Sequence, residues 1–538
     1  MKRFVAAALG RFSRPPLRLD PTSDAGIAAR DFDKAFYLAT YPDVAEVGVD
    51  ALDHFMTYGW REGRDPNADF SVAGYLATFP EVAATGENPF VHYLTNGRPR
   101  RVPPESPLGY RFDIIEHQES IERRLAYVAQ EQVLPGSGED LGAALGSSHD
   151  GLQSLHLTFS HDDFSTNLGG LQLAIRREAA QLRATGRDHL HVHCARTWPL
   201  VRQSAERELL AVVWNGRPVG AFWPEVLVSA LKEAVTGEAS RRSFAIHSLL
   251  GHAPDEVADI LAAIGLTRGT FWLHDFASLC AGYHLLRNGV EDCSAPPIGS
   301  AACGICRFGP WRERHTQGHA RLFERLDLTV AAPSAAALNL WRRSTNLPAV
   351  ATEVLPHAAL KPRVAAPVPD PGRPFRIVYA GLPLAHKGWH AFMALAFRFG
   401  DDPRYTFMHL GATRDRAMPC QFIEVHGGAG NPQAMQQALE TAEADAVLVW
   451  PLCQETFSFV AYEAVAAGCA VITGPDSGNV AAFVAEGGHG LVLPDEAGLA
   501  AAFESGAILQ LARAQRRPML YDLAYSSLTL DLAKTPIP

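Results

Sequence analysis

The chain has 538 residues, 47% hydrophobic and 20% charged, with a net charge of -10. That length suits two to four domains and a large buried core. Mild acidity without a basic stripe argues against nucleic acid as a partner, and no run of about 18 apolar residues offers a spanning helix.

Residues 1–30 read as an N-terminal extension. MKRFVAAALGRFSRPP has two basic residues and a short apolar stretch that ends at Arg11 without a clear cleavage site. It reads as a frayed or amphipathic start rather than a secretory signal. Residues 31–104 hold an internal repeat with a 38-residue offset. FDKAFYLATYPDVAEVGVDALDHFMTYGWREGR is followed by FSVAGYLATFPEVAATGENPFVHYLTNGRPRR. Tyr37 matches Tyr75, Pro42 matches Pro80, Gly48 matches Gly86, His54 matches His92 and Gly59 matches Gly97. Each unit is expected to form two short helices, the second ending at a C-capping glycine. A docking surface and a simple packing collar are equally consistent with such a pair.

Residues 105–150 read as one charged helix, GYRFDIIEHQESIERRLAYVAQEQVL, and then a Gly/Ser-rich linker, PGSGEDLGAALGSSHDG. From residue 151 to 360, β-rich runs at LHLTF, HLHVHC, LLAVVW, SFAIHSLL, GTFWLHDF and LTVAAPS alternate with helical stretches. That alternation predicts an α/β domain with a parallel sheet covered by helices. The proline-rich bridge 361–374 predicts a domain boundary. Alternation resumes over 375–510, so two consecutive Rossmann-like domains are expected to face a cleft. Ligands of such sheets sit at the carboxyl ends of the strands. Residues 511–538 form a tail.

The strongest motif is ETFSFVAYEAVAAGCAVITGPDSGNVAAFV, which follows the strand DAVLVWP and opens a helix. Glu455 lies in the loop and Glu463 in the helix, so the pair can present carboxylates to two ends of one ligand. Backbone N–H groups near Phe457 and Ser458 can face a pyrophosphate. In YAGLPLAHKGWHAF, a strand ends at Gly381 and Lys387 stands before a helix as a point charge suited to phosphate. In HDDFSTNLGGLQLAIRREAAQL, Gly169 and Gly170 allow close backbone approach. In FWLHDF, His274 ends a strand, and its plainer alternative is a core histidine beside a capping Asp275. His247 and His252 are weaker candidates for the same cleft.

These segments resemble family 4 glycosyltransferases of the GT-B fold, whose motif is Glu-x7-Glu. Glu455, Phe457, Glu463, Ala464, Gly468 and Gly478 fit it in order. The resemblance implies that Glu455 contacts the donor-sugar hydroxyls, Glu463 the donor ribose, Lys387 the diphosphate and His274 the reacting sugar. It further implies retention of configuration, no cofactor for catalysis, a nucleotide-sugar donor and a saccharide or glycolipid acceptor. Ser458 stands where the family has glycine, and Leu382 where it has a phosphate-binding arginine, with His386 a basic residue that could substitute. The 38-residue units resemble helical additions to bacterial surface-polysaccharide glycosyltransferases. The expected role is therefore cell-surface polysaccharide synthesis in the cytoplasm, extending to the inner face of a membrane, with a membrane or protein partner for the repeats. A non-catalytic GT-B scaffold and a nucleotide-sugar epimerase are the rival readings.

Four of the eight cysteines cluster: Cys280, Cys293, Cys303 and Cys306, spaced C-x12-C-x9-C-x2-C. Four thiolates suit one structural zinc beside the cleft. Disulfides and free thiols are the alternatives.

Overall fold

The computed structural model describes residues 20–96, 109–167, 169–236, 241–415, 418–427 and 431–532. The N-terminal apolar stretch, Gly97 and the last six residues of the tail lie outside them. The chain divides into one unit over residues 1–106 with 415–419, and another holding the rest. Among the described residues, no helix is long and apolar enough to cross a membrane.

In the first unit each repeat has three short helices where two are expected. Pro42 and Pro80 do not merely end the first helix. Each occupies the first turn of a second one, Pro42–Val47 and Pro80–Thr85, where its missing N–H costs nothing. Those helices end at Gly48 and Gly86 in the left-handed region (φ 72° and 71°). The third helix carries the repeat histidine. Tyr37 Oη lies 3.0 Å from His54 Nδ1, and Tyr75 Oη 2.8 Å from His92 Nδ1. The repeat is thus a repeated hydrogen bond, sealed within one shared aromatic core. Gly59 ends a π-turn, Phe55–Gly59, and a Cβ there would stand 2.1 Å from the Tyr37 hydroxyl. Close approach, rather than capping, explains that glycine.

The expected single helix over 109–134 is two, Tyr110–Glu116 and Ile121–Gln130, the second capped by the Ser120 hydroxyl. The expected linker contains a helix, Gly138–Gly146, started by the Ser137 cap. Leu141 and Leu145, one turn apart, are fully buried in the core of the following domain. Burial of that pair overrides the poor helix propensity of the glycines.

That domain has an eight-stranded sheet. In order across the sheet, the strands begin at Ala351, Asp327, Arg268, Ser243, Leu155, Asp188, Leu210 and Arg217. Six are parallel, but the last two form an antiparallel hairpin at the edge. The run at 209 was expected in a parallel sheet. Its two-residue turn is Asn215-Gly216, both with positive φ, a strong hairpin signal in the sequence.

The second domain has six parallel strands. Across the sheet they begin at Gln421, Tyr405, Phe375, Ala446, Ala470 and Gly490. Numbered along the chain this is 3-2-1-4-5-6, with the order reversing between Phe375–Ala380 and Ala446–Leu448. Crevices outside such switch points are where these sheets hold ligands. Part of the expected proline-rich linker is a strand, Ala358–Ala365, paired with the returning tail strand Met519–Tyr525. The register shifts between Pro362 and Ala365, where a proline cannot donate. Beyond it Leu528 and Thr529 pack onto the first domain, where Trp272 Nε1 donates to Thr529 Oγ1 at 3.0 Å.

Candidate functional site

The switch point brings two sequence-predicted residues together. Lys387 follows the first strand and Glu455 the fourth, and Lys387 Nζ donates to Glu455 Oε1 at 2.5 Å. Burial opposes the ammonium charge, yet Glu455 outweighs it and holds Lys387 above the usual lysine range. Glycines make this geometry. Gly381 has φ 112° and Gly388 φ 87°, and a Cβ on Gly388 would stand 2.1 Å from the Trp450 carbonyl. Gly478 (φ 61°) pairs with Glu455 in an isolated bridge, and a Cβ there would lie 2.6 Å from the Glu455 carbonyl oxygen.

Ser458 heads the helix Phe459–Ala466 at φ 74°, in the left-handed region that disfavours a side chain. That is the position where the resemblance calls for glycine. Phe457 is buried at 3% exposure and stacks on Tyr462 at 4.3 Å. Its side chain is a packing element, and its carbonyl accepts from Asn479 Nδ2 at 2.9 Å. His386, the candidate to stand in for the arginine absent at Leu382, lies beside Lys387 and stacks on His284 at 4.6 Å. Burial, reinforced by Lys387, lowers it to about 4, so it is neutral near pH 7.

Glu463 is 9% exposed. Burial raises its carboxyl to about 7, partly offset by Arg177 from the first domain. Arg177 lies 3.2 Å over the Tyr525 ring, and sequence reasoning missed both residues. The folded chain holds this proton up to about pH 7, whereas a free glutamic acid loses it near 4.5. Stability from this group is therefore full below the lower value and declines as pH rises through the higher one, by at most about 3 kcal/mol. Urea midpoints between pH 5 and 8 should fall for the native chain, and Glu463→Gln should flatten that slope. An unchanged slope in the variant would remove Glu463 as its source.

Across the cleft, Gly169 is extended and Gly170 begins the helix Gly170–Ala184. A Cβ on Gly170 would lie 3.4 Å from the Phe459 ring of the second domain, an ordinary contact, so close approach does not by itself require glycine there. Thr456 Oγ1 donates to the His274 carbonyl oxygen at 2.8 Å. Asp275 accepts from Ala277 N at 2.8 Å, as a capping residue does. His252 is structural, its Nε2 2.7 Å from the Ser160 carbonyl.

Both ring nitrogens of His274 face other imidazoles. His247 Nδ1 is 2.7 Å from His274 Nε2, and His357 Nε2 is 3.2 Å from His274 Nδ1. His247 Nε2 lies 3.0 Å from Glu178 Oε2, and Glu178 Oε1 accepts from Thr529 N at 2.8 Å. Burial would raise the Glu178 carboxyl, but His247 outweighs it and keeps it ionised. Burial, aided by His247 and His357, keeps His274 neutral. Four buried or half-buried groups thus form one chain, of which the sequence singled out only His274 and, weakly, His247. Glu178 falls in the helix that opens after Gly169-Gly170, where its only signal was a charge on a helix. His357 falls in the loop immediately ahead of the strand Ala358–Ala365.

Residues 398–506 match a family model described as Glycosyl transferases group 1. The matched segment contains Glu455, Ser458, Glu463 and Gly478. No curated protein matches the sequence. Among solved structures, Anabaena HepE in complex with UDP-glucose is 13% identical at TM-score 0.41, covering 70% of this chain and 97% of that one. WaaG, a glycosyltransferase involved in lipopolysaccharide biosynthesis, is 15% identical at TM-score 0.38, covering 67% and 94%. The GtfA/B complex is 13% identical at TM-score 0.36, and the chain spans 59% of the length of that protein.

The four clustered cysteines line one small cavity of about 20 Å³. None is in a disulfide. Among the described residues, the one trio of His, Cys, Asp or Glu whose ligand atoms all lie within 4.8 Å is His149, Asp150 and Asp188, away from the cysteines. The thiols therefore ring the cavity without closing on a common point.

Proposed function

We propose that this chain is a retaining glycosyltransferase that moves a sugar from a nucleotide-sugar donor to a saccharide or glycoconjugate acceptor, in the assembly of a cell-surface polysaccharide. The Lys387–Glu455 pair at the switch point, with Glu463 eight residues on in the family-matched segment, carries the reading. The leaving nucleoside diphosphate gains negative charge, and a preorganised ammonium at a strand end stabilises it. On donor binding the diphosphate takes Lys387, which releases the Glu455 carboxylate to accept from sugar hydroxyls. Glu463, once ionised, accepts from the ribose. The first domain brings the acceptor to the reacting carbon, where His274 exchanges one of its two imidazole partners, His247 or His357, for the sugar, and closure holds the two substrates in reacting geometry. The polysaccharide role and the retaining outcome rest on the motif resemblance.

A ligand that binds only the folded chain raises its melting temperature by mass action. One nucleoside diphosphate should do so for the native protein. Lys387→Ala should weaken that binding roughly 10- to 100-fold, the worth of a lost charge-assisted contact. No shift with any nucleoside diphosphate or nucleotide sugar would overturn the donor site. Donor binding without product would favour the scaffold reading, and a changed donor sugar released without acceptor the epimerase.

A further inference from the structure

The segment from Phe276 to Gly309 is a long excursion inside a packed domain. Its regular structure is a two-residue ladder, Leu286–Arg287 with Glu291–Asp292, and one helical turn, Ala301–Gly304. Leu285, Asn288, Ser294 and Ala295 all have φ between 47° and 55°. Side-chain-bearing residues rarely adopt that region unless their surroundings over-determine it. Irregular loops of this length inside a domain are uncommon, and this one is tied to the core through Phe276, Leu279, Cys280, Leu285 and Ala295.

The cysteines stand where a clamp would. Cys280 closes the turn after His274, its N–H donating to the Phe276 carbonyl, and Cys293 N donates to the Leu285 carbonyl. Cys303 and Cys306 bracket the helical turn. All four border the same cavity of about 20 Å³, with Leu285, Ala295 and Pro296 among its walls. That volume accommodates one water-sized species. A water there would need two to four good polar partners, which such walls do not supply.

Arg312 is the second, independent sign. It is 4% exposed, and its Nε donates to the Leu279 carbonyl while its Nη1 lies 2.9 Å from Cys303 Sγ. Among the described residues, its guanidinium pairs with no carboxylate. A buried cation needs a counter-charge, and the group it faces is a thiol. A thiolate bound to a metal is negative at neutral pH, and further hydrogen bonds to metal-bound ligands are typical of such sites.

We propose that Cys280, Cys293, Cys303 and Cys306 bind one structural zinc ion, with Arg312 donating to the Cys303 sulfur. Binding draws the four thiols inward from the cavity rim and releases their protons to solvent. The clamp has a consequence for the cleft. Leu286, inside the clamped segment, packs with Leu452 and Cys453 just ahead of Glu455, and His284 stacks on His386 at 4.6 Å. The inference does not depend on the transferase reading.

The test is metal analysis of the full chain purified from zinc-supplemented culture. About one zinc per chain is expected, with the four thiols protected from alkylation until a strong chelator is added. Cys303→Ser/Cys306→Ser should lose nearly all of the metal, and Cys420→Ser, outside the cluster, should keep it. If the double variant fails to fold, cobalt titration of the stripped native chain decides, through thiolate-to-metal charge-transfer bands. A native chain that stays metal-free after zinc titration, or a peptide map with these cysteines joined as disulfides, would overturn the proposal.

Discussion

Replacing Asp445 with alanine is expected to destabilise the second Rossmann-like domain by about 3–5 kcal/mol. Asp445 immediately precedes the fourth strand of that sheet and is 1% exposed. Its Oδ2 accepts from Arg373 Nη1 at 2.6 Å and from Arg376 N at 2.9 Å. Its Oδ1 accepts from Arg513 N at 2.8 Å and from Arg373 Nη2 at 3.2 Å. One carboxylate thus joins the entry to the first strand, that strand itself and the C-terminal helix Arg513–Arg516. Truncation would leave the largely buried Arg373 guanidinium without its main partner and orphan two backbone donors, and each loss carries a desolvation penalty. At this domain size the first thermal transition should fall by roughly 10 °C. Asp402→Ala removes the more exposed pair with Arg404 and should cost less than about 1 kcal/mol. A loss that small at Asp445 would mean that the carboxylate does not hold these segments.

Glu178→Gln is expected to lower turnover by about 100-fold or more while leaving the fold intact. The ionised carboxylate accepts at both oxygens, from Thr529 N and from His247 Nε2. A neutral imidazole that donates to Glu178 from Nε2 accepts at Nδ1. In that tautomer chain His274, 2.7 Å from His247 and 3.2 Å from His357, donates from Nε2 and accepts at Nδ1, where His357 donates. A glutamine keeps its oxygen toward the fixed Thr529 N–H and turns its NH2 toward His247. That reverses donor and acceptor at every imidazole in the chain, as far as His357, whose ring lies 5.1 Å from that of Phe457. A carboxylate-to-amide change that imposes the wrong tautomer on a catalytic histidine costs about 10⁴-fold in a serine-protease triad, and a neutral bystander role would cost nothing. Nitrogen-15 shifts of His247 and His274 should report the exchanged tautomers, and kcat should fall more than KM rises. Unchanged tautomers with unchanged kcat would reduce Glu178 to a packing role.

Much of this architecture was legible because its signals are local. Strand runs separated by amphipathic helices gave two Rossmann-like domains, and the repeat offset gave paired aromatic units. Gly381, Lys387, Glu455 and Gly478 sit at strand ends and turns whose chemistry is written in short windows. Misses came where distant burial overruled a local preference. The glycine-rich stretch after Pro135 reads as a linker until Leu141 and Leu145 find the sheet's core. Each repeat was expected to hold two helices and holds three, one of them started by Pro42 or Pro80. The Asn215-Gly216 hairpin was a local signal left unread.

The sequence by itself determined the class of fold, the loops that would carry charge and the four cysteines held in one segment, since periodicity, turn residues and spacing are properties of neighbours along the chain. The remaining partners come from the packed fold. Chain reversal at the switch point sets Lys387 against Glu455 across 68 residues. The returning tail delivers Thr529 N to Glu178 across 351, and packing buries Arg312 against a thiol, with no carboxylate partner among the described residues. Such partners are chosen by which strands lie side by side and by what burial leaves unpaired, and neither is encoded at fixed spacing.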